Sequence, residues 1–311
     1  MQNLLPGGVY PPLPTFFDAD EELDLGTLQR HMQRLKDSGI AGFVVLGSNG
    51  EAVHLTNEER ARVISAAREV AGDEETGIPL IAGCGEQSTR GTIAQCQRAA
   101  NHGANLALVL PPSYYKGNMD KPALLAHYQA VAERSPIPVL IYNMPASTGG
   151  IDLDAELICT LAEHPNILGL KDSSGDITKL SFITANTPVT FRVFAGSAGF
   201  FFPALAIGAA GTIAALANLY PREICLLQTL FNTGHYVEAR SLQTELIAIN
   251  TAVTTRYGVA GLKAALEMIA GYGGKPRRPL QPLPSSERDK LAQLLRATEL
   301  EENLEVVLEE E

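Results

Sequence analysis

The stretch NILGLKDSSGD (166–176) runs an apolar segment into a lysine and follows it with a small polar turn. Lysine is among the residues least often buried, so Lys171 needs a reason to stand at the end of a strand-like segment. A lysine held among strands loses hydration, which favours the uncharged amine, and that amine can attack a ketone to form a Schiff base. A structural ion pair with Asp172 is the other reading of the same residue. Tyr142, near the end of PVLIYN (138–143), carries a hydroxyl suited to moving protons at such a centre. A core tyrosine with a satisfied hydroxyl would look the same. Ser48 and Asn49 sit in GSNGE (47–51), where small residues let backbone N–H groups approach an anion; a tight turn explains them equally well. The six histidines form no HxH or HExxH arrangement, so no metal site is assigned.

All of these groups fall at the ends of short apolar runs. Eight runs recur along the chain: VYPPLPTFF (9–17), GFVVLG (42–47), PLIAGC (79–84), LALVLPP (106–112), PVLIYN (138–143), ILGLKD (167–172), FRVFAG (191–196) and GTIAAL (211–216). Most are continuous rather than alternating, which suits parallel strands covered on both faces. Amphipathic segments separate them; TNEERARVISAAREVAG opens with Thr56 and, three residues on, Glu59, the signature of a capping box. The alternation predicts an α/β fold, a (β/α)8 TIM barrel spanning 1–220, in which chemistry gathers at the C-terminal ends of the strands. From Pro221 onward the pattern is helical only. Residues 221–298 are expected to form the eighth barrel helix and an appended C-terminal helical layer, and 299–311 a solvated acidic tail.

Composition narrows the function. The chain has 311 residues, 45% of them hydrophobic and 19% charged, enough apolar material for a large core. The net charge of −11 leaves no basic stripe to meet phosphates, so nucleic acid is not an expected partner. Seven glutamates in ELEENLEVVLEEE carry most of that excess. Cys84, Cys96, Cys159 and Cys225 make no CxxC pair and are expected to be reduced core thiols. No apolar run is long enough to span a membrane, and MQNLLPGGVYPPLP lacks a signal or transit pattern. A cytoplasmic protein is expected, or a mitochondrial one if a presequence is absent from the sequence.

GSNGE (47–51), YNMPASTGG (142–150) and GLKDSSGD (169–176) together resemble the pyruvate-dependent class I aldolases, the dihydrodipicolinate synthase and N-acetylneuraminate lyase family. GVYPP, GFVVLGSNGE, SPIPV, HPNILGLKDSSGD, AGSAGF and AVTTRYGVAGLK are most similar to its 4-hydroxy-2-oxoglutarate aldolase branch. The resemblance runs from about Gly8 to Leu283. It implies that Lys171 is the Schiff-base lysine, Tyr142 the proton-relay tyrosine and Ser48 its hydroxyl partner. Asn49 and Gly50 would join Ser48 in binding the 2-oxo acid carboxylate. Gly196, Ser197 and Ile213 would line the pyruvate end of the pocket, and Ser147 and Ser173 the aldehyde end. Tyr114 or Tyr115 would complete the relay across a subunit contact, in a homotetramer built as a dimer of dimers. The implied reaction is reversible cleavage of a 4-hydroxy-2-oxo acid to pyruvate and an aldehyde, with no cofactor beyond the covalent lysine imine. Glyoxylate is the aldehyde that the branch implies; a 2-keto-3-deoxy sugar acid of the L-threo-3-deoxy-hexulosonate type is the alternative. Dihydrodipicolinate synthase carries an arginine in its YNxPxRTG pattern where this chain has Ser147. One hydroxyl cannot replace a bidentate carboxylate clamp, which weakens that reading. A non-enzymatic 2-oxo acid binding barrel would keep the same shape.

Overall fold

The computed structural model describes residues 5–73 and 77–298, so the expected acidic tail lies outside the described residues. Each apolar run becomes a short strand: β1 (Gly8–Tyr10), β2 (Phe43–Val45), β3 (Leu80–Gly83), β4 (Leu106–Val109), β5 (Val139–Asn143), β6 (Ile167–Asp172), β7 (Arg192–Ala195) and β8 (Gly211–Ile213). Helices follow them in turn: α1 (Leu25–Lys36), α2 (Asn57–Ala71), α3 (Thr89–Asn101), α4 (Lys121–Arg134), α5 (Ala155–Leu161), α6 (Ile177–Asn186), α7 (Phe201–Ala206) and α8 (Pro221–Asn232). The strands pair in parallel in the order β1-β8-β7-β6-β5-β4-β3-β2. A bridge between Pro12 and Val44 closes the ring, with Leu13 N–H donating to the Val44 carbonyl at 2.8 Å.

The strand starts match the apolar runs, but several ends fall short. The first run leaves regular pairing after Tyr10, because Pro11, Pro12 and Pro14 have no N–H to give a ladder. Leu106–Val109 likewise ends before Pro111. The eighth run gives way to a 3-10 turn at Ala215–Asn218. Helix starts are fixed by side chains that accept otherwise orphaned N–H groups. Thr56 Oγ1 takes the Glu59 N–H at 3.2 Å while Glu59 returns a carboxylate oxygen to the Thr56 N–H at 2.8 Å.

Alternation along the strands divides the core in two. Val44, Ile81, Leu108, Leu140, Phe194 and Ile213 fill the barrel interior, while Val45, Ala82, Val109, Ile141 and Leu170 face the helices. Between β5 and β6 the register changes: Val139 pairs with Ile167, but Leu140 pairs with Gly169. Leu168 is therefore an extra residue in β6, and beyond it Tyr142 lies opposite Lys171.

The C-terminal part consists of α9 (Tyr236–Thr251), a π turn at Ala252–Arg256, α10 (Gly258–Ala270) and α11 (Ser285–Ala297). It is tied to the barrel by polar contacts as well as apolar ones. The fully buried His31 of α1 meets Asn218 Oδ1 through Nε2 and the Tyr272 hydroxyl through Nδ1, both at 3.0 Å. Burial lowers its pKa to about 3, so the ring is neutral at ordinary pH.

Candidate active site

Lys171 and Tyr142 sit at the C-terminal ends of neighbouring strands and face the barrel interior. Both are 3% exposed. Lys171 Nζ lies 4.0 Å from the centre of the Tyr142 ring. Phe194 flanks Lys171 from β7, and the rings of Phe194 and Tyr10 pack edge to face at 5.5 Å below. Asp172 points the other way, as strand alternation requires, and its carboxylate is bound by Asn143 and Lys179. Among the described residues Lys171 makes no ion pair. The reading of Lys171 as the partner of Asp172 is therefore not what the fold builds.

The loop after β2 supplies the second part of the site. Gly50 N–H bonds the Gly47 carbonyl at 3.0 Å, and Thr15 Oγ1 donates to the Gly50 carbonyl at 2.6 Å. A Cβ on Gly50 would stand 2.9 Å from the Leu46 nitrogen, so only glycine fits there. Leu46 and Glu51, on either side, hold left-handed backbones with φ of 58° and 51°. Such backbones persist only where surrounding contacts hold them. Among the described residues no carbonyl accepts the Ser48 or Asn49 N–H, which leaves both amides for an anion. The Ser48 hydroxyl is 3.5 Å from that of Tyr142. Met144 stands in between: its sulfur accepts the Tyr142 hydroxyl at 2.7 Å and lies 3.5 Å from Ser48 Oγ.

A cavity of about 320 Å³ opens over Tyr142, Ser48 and Ser147. Lys171 is not among the residues that line it; its Nζ lies over the Tyr142 ring. Ser173 is half-buried, with its hydroxyl 3.5 Å from the Gly196 carbonyl. Gly196 must be glycine, since a Cβ would come 2.6 Å from the Asp172 carbonyl oxygen. Ile213 is fully buried in the interior. Ser197 is engaged elsewhere: its hydroxyl accepts from Asn250 Nδ2 at 3.0 Å and from the Gly199 N–H at 3.2 Å. Tyr114 and Tyr115 are 79% and 69% exposed, stack edge to face at 5.0 Å, and are not brought to Tyr142 within the chain.

Three groups at the site escape a reading by motif. Arg60 of α2 lines the cavity, pairs with Glu86 and donates from Nε to the Ala52 carbonyl at 3.0 Å. Its place was legible in principle, because it shares the buried helix face of Val63, Ile64 and Ala67. Met144 hides as an apolar residue in the loop after β5. The third is Glu51, buried at the end of the Ser48–Asn49 turn. It accepts Lys263 Nζ at 2.6 Å and the Arg277 N–H at 2.8 Å, so α10 and the segment after it hold the turn from behind. Burial lowers the Lys263 pKa, and the Glu51 carboxylate offsets part of that effect. Among the described residues no group of three or more His, Cys, Asp or Glu side chains could hold a metal, and no helix is long and apolar enough to cross a membrane.

Comparison with known proteins gives this geometry its context. The model of the dihydrodipicolinate synthetase family matches residues 5–298. A probable mitochondrial 4-hydroxy-2-oxoglutarate aldolase of Emericella nidulans is 43% identical over 300 residues, covering 96% of this chain and 97% of that protein. An L-threo-3-deoxy-hexylosonate aldolase of Hypocrea jecorina is 40% identical over 313 residues, covering 96% and 98%. Among solved structures, a dihydrodipicolinate synthase from Bacillus anthracis superposes with a TM-score of 0.88 at 27% identity, over 94% of this chain and 98% of that one. A dihydrodipicolinate synthase family protein from Coccidioides immitis gives 0.84 at 33% identity, over 96% and 97%.

Proposed function

The chain belongs to the dihydrodipicolinate synthetase family, and from that premise we propose that it is a class I aldolase that reversibly cleaves a 4-hydroxy-2-oxo acid to pyruvate and an aldehyde. The favoured substrate is 4-hydroxy-2-oxoglutarate, which gives glyoxylate. The observation that carries this reading is the pair on β5 and β6: a lysine that makes no ion pair among the described residues, its Nζ 4.0 Å over the ring of a tyrosine whose hydroxyl lies 3.5 Å from that of a serine.

In the proposed mechanism the Lys171 amine adds to the C2 carbonyl, and loss of water leaves an iminium. Tyr142 takes the C4 hydroxyl proton, directly or through Ser48, as the C3–C4 bond breaks. The electrons of that bond move into the iminium to give an enamine, and the aldehyde departs. Protonation at C3 and hydrolysis release pyruvate and restore the amine. The iminium is the electron sink, so no further cofactor is called for; activity is expected to survive exhaustive EDTA treatment. The free amides of Ser48 and Asn49 would hold the substrate carboxylate, with Gly50 setting the turn. Such positioning contributes several kcal/mol to lowering a barrier. Borohydride added with pyruvate is the direct test: covalent addition of reduced pyruvate at Lys171 supports the scheme, and an unaltered intact mass refutes it.

The aldehyde half carries a second reading, because the relative from Hypocrea jecorina is named for a deoxy-hexylosonate. Ser147 and Ser173 offer hydroxyls that would suit a polyol as well as a carboxylate. Comparing glyoxylate with glyceraldehyde as acceptors for pyruvate separates the two. The exposed Tyr114–Tyr115 pair favours a shared site in a homotetramer, with one of these rings reaching a neighbouring subunit. A monomer that is fully active in sedimentation experiments would refute that. The four free cysteines fit a thiol-reducing compartment. The relative from Emericella nidulans is named as mitochondrial, which makes the mitochondrion the first place to look rather than the cytoplasm.

A further inference from the structure

On the outer face of the barrel, one residue beyond Tyr142 and Lys171, stand Asn143 and Asp172, both fully buried. Asn143 Nδ2 donates to Asp172 Oδ2 and to Asp152 Oδ1, each at 2.7 Å. Lys179 Nζ bridges the same two carboxylates, 2.6 Å from Asp152 and 3.2 Å from Asp172. The remaining atoms are also satisfied: Asn143 Oδ1 accepts the Leu153 N–H at 3.0 Å, and Asp172 Oδ1 accepts the Ser174 N–H at 2.8 Å. The backbone is tied at the same level, with Ser173 N–H on the Asn143 carbonyl at 2.8 Å and Gly196 N–H on the Asp172 carbonyl at 2.6 Å. Such a network gains little over apolar packing in stability alone, since Asn143 and Asp172 have been stripped of water to make it.

Its place in the sheet gives it another role. The extra residue Leu168 is what sets Tyr142 opposite Lys171. Without that bulge Tyr142 would face Leu170, and the side chains at the end of β6 would change faces. The Asn143–Asp172 bond joins the outer sides of the same rung and can form only in the bulged register. We propose that Asn143 and Asp172, braced by Lys179 and Asp152, are positioning residues that lock the β5–β6 register and so hold Lys171 against Tyr142, an inference that rests on the Schiff-base reading above.

The test compares Asn143→Ala and Asp172→Asn with the parent chain in two ways. The first is steady-state cleavage. The second needs no substrate: the rate at which acetic anhydride acylates Lys171, followed by peptide mass. Asn143→Ala is expected to lower kcat by about 10²-fold, the scale of a misplacement of roughly 1 Å. KM should move less than about threefold, because the Ser48–Asn49 turn is untouched, and acylation of Lys171 should change by at least about threefold. A merely structural network would lower the melting temperature and leave kcat and acylation within about threefold at temperatures well below melting. That result in either folded variant overturns the proposal. Asp172→Asn keeps the side-chain shape and serves if the alanine variant does not fold. A parent chain that neither cleaves substrate nor traps pyruvate would sink the Schiff-base reading, and the acylation comparison alone would then decide the register lock.

Discussion

At the scale of single residues, Lys171 and Tyr142 carry the argument because each combines burial with a functional group that the core does not need. Lys171→Ala is expected to abolish turnover while circular dichroism shows the fold unchanged; appreciable cleavage by that variant would remove the covalent step. Tyr142→Phe keeps the ring under the Lys171 amine and deletes only the hydroxyl. It should lose about 10²–10⁴-fold in rate, the usual worth of a positioned acid–base group, and a loss under about threefold would take Tyr142 out of proton transfer. Both residues were legible in the sequence, since a lysine or a tyrosine closing an apolar run stands out against its neighbours. Met144 did not stand out. Its sulfur takes the Tyr142 hydroxyl at 2.7 Å, yet nothing in its type or spacing separates it from a filler of irregular gaps.

At the scale of elements, the run-and-helix alternation foretold eight strands and their order of use. It could not foretell the bulge at Leu168, because the pattern along one strand says nothing about its pairing with the next. The prolines after Tyr10 shortened the first strand for a reason visible in the sequence, the missing N–H groups. The helices beyond α8 read as a covering layer, but α10 also reaches into the site through Lys263. Lys263→Met would leave the Glu51 carboxylate buried with, among the described residues, the Arg277 N–H and His54 as its remaining partners. Removing one partner of a buried pair costs about 3–5 kcal/mol. Urea unfolding should show a loss of that order, together with a raised KM for pyruvate as the Ser48–Asn49 turn loosens. A loss below about 1 kcal/mol would mean that Glu51 needs no cation behind it.

At the scale of the whole molecule, His31 joins the barrel to the C-terminal layer and makes that junction sensitive to acid. Its folded pKa of about 3 lies below the ordinary value of 6.5. Between those values the unfolded chain binds a proton that the native chain does not, so stability is present above about pH 6.5 and falls as the pH drops. The gap in unfolding free energy between the parent chain and His31→Gln should narrow by about 1.4 kcal/mol per pH unit from pH 6 to pH 4. A gap that stays constant over that range would mean that His31 takes up its proton in the native state. None of this was legible beforehand, because the contact joins residues 31, 218 and 272, and only the fold brings them together.

The closing of the ring between its first two strands has a consequence for how the site breathes. That seam is stitched where Pro11 and Pro12 withhold their amides, beside the turn that carries Ser48 and Asn49 and on the far side of the ring from the Lys171–Tyr142 rung. Opening there would shift the turn of Ser48 and Asn49 while Tyr142 and Lys171 stay paired, so under the proposed mechanism it would loosen the hold on a carboxylate and the Ser48 hydroxyl contact together.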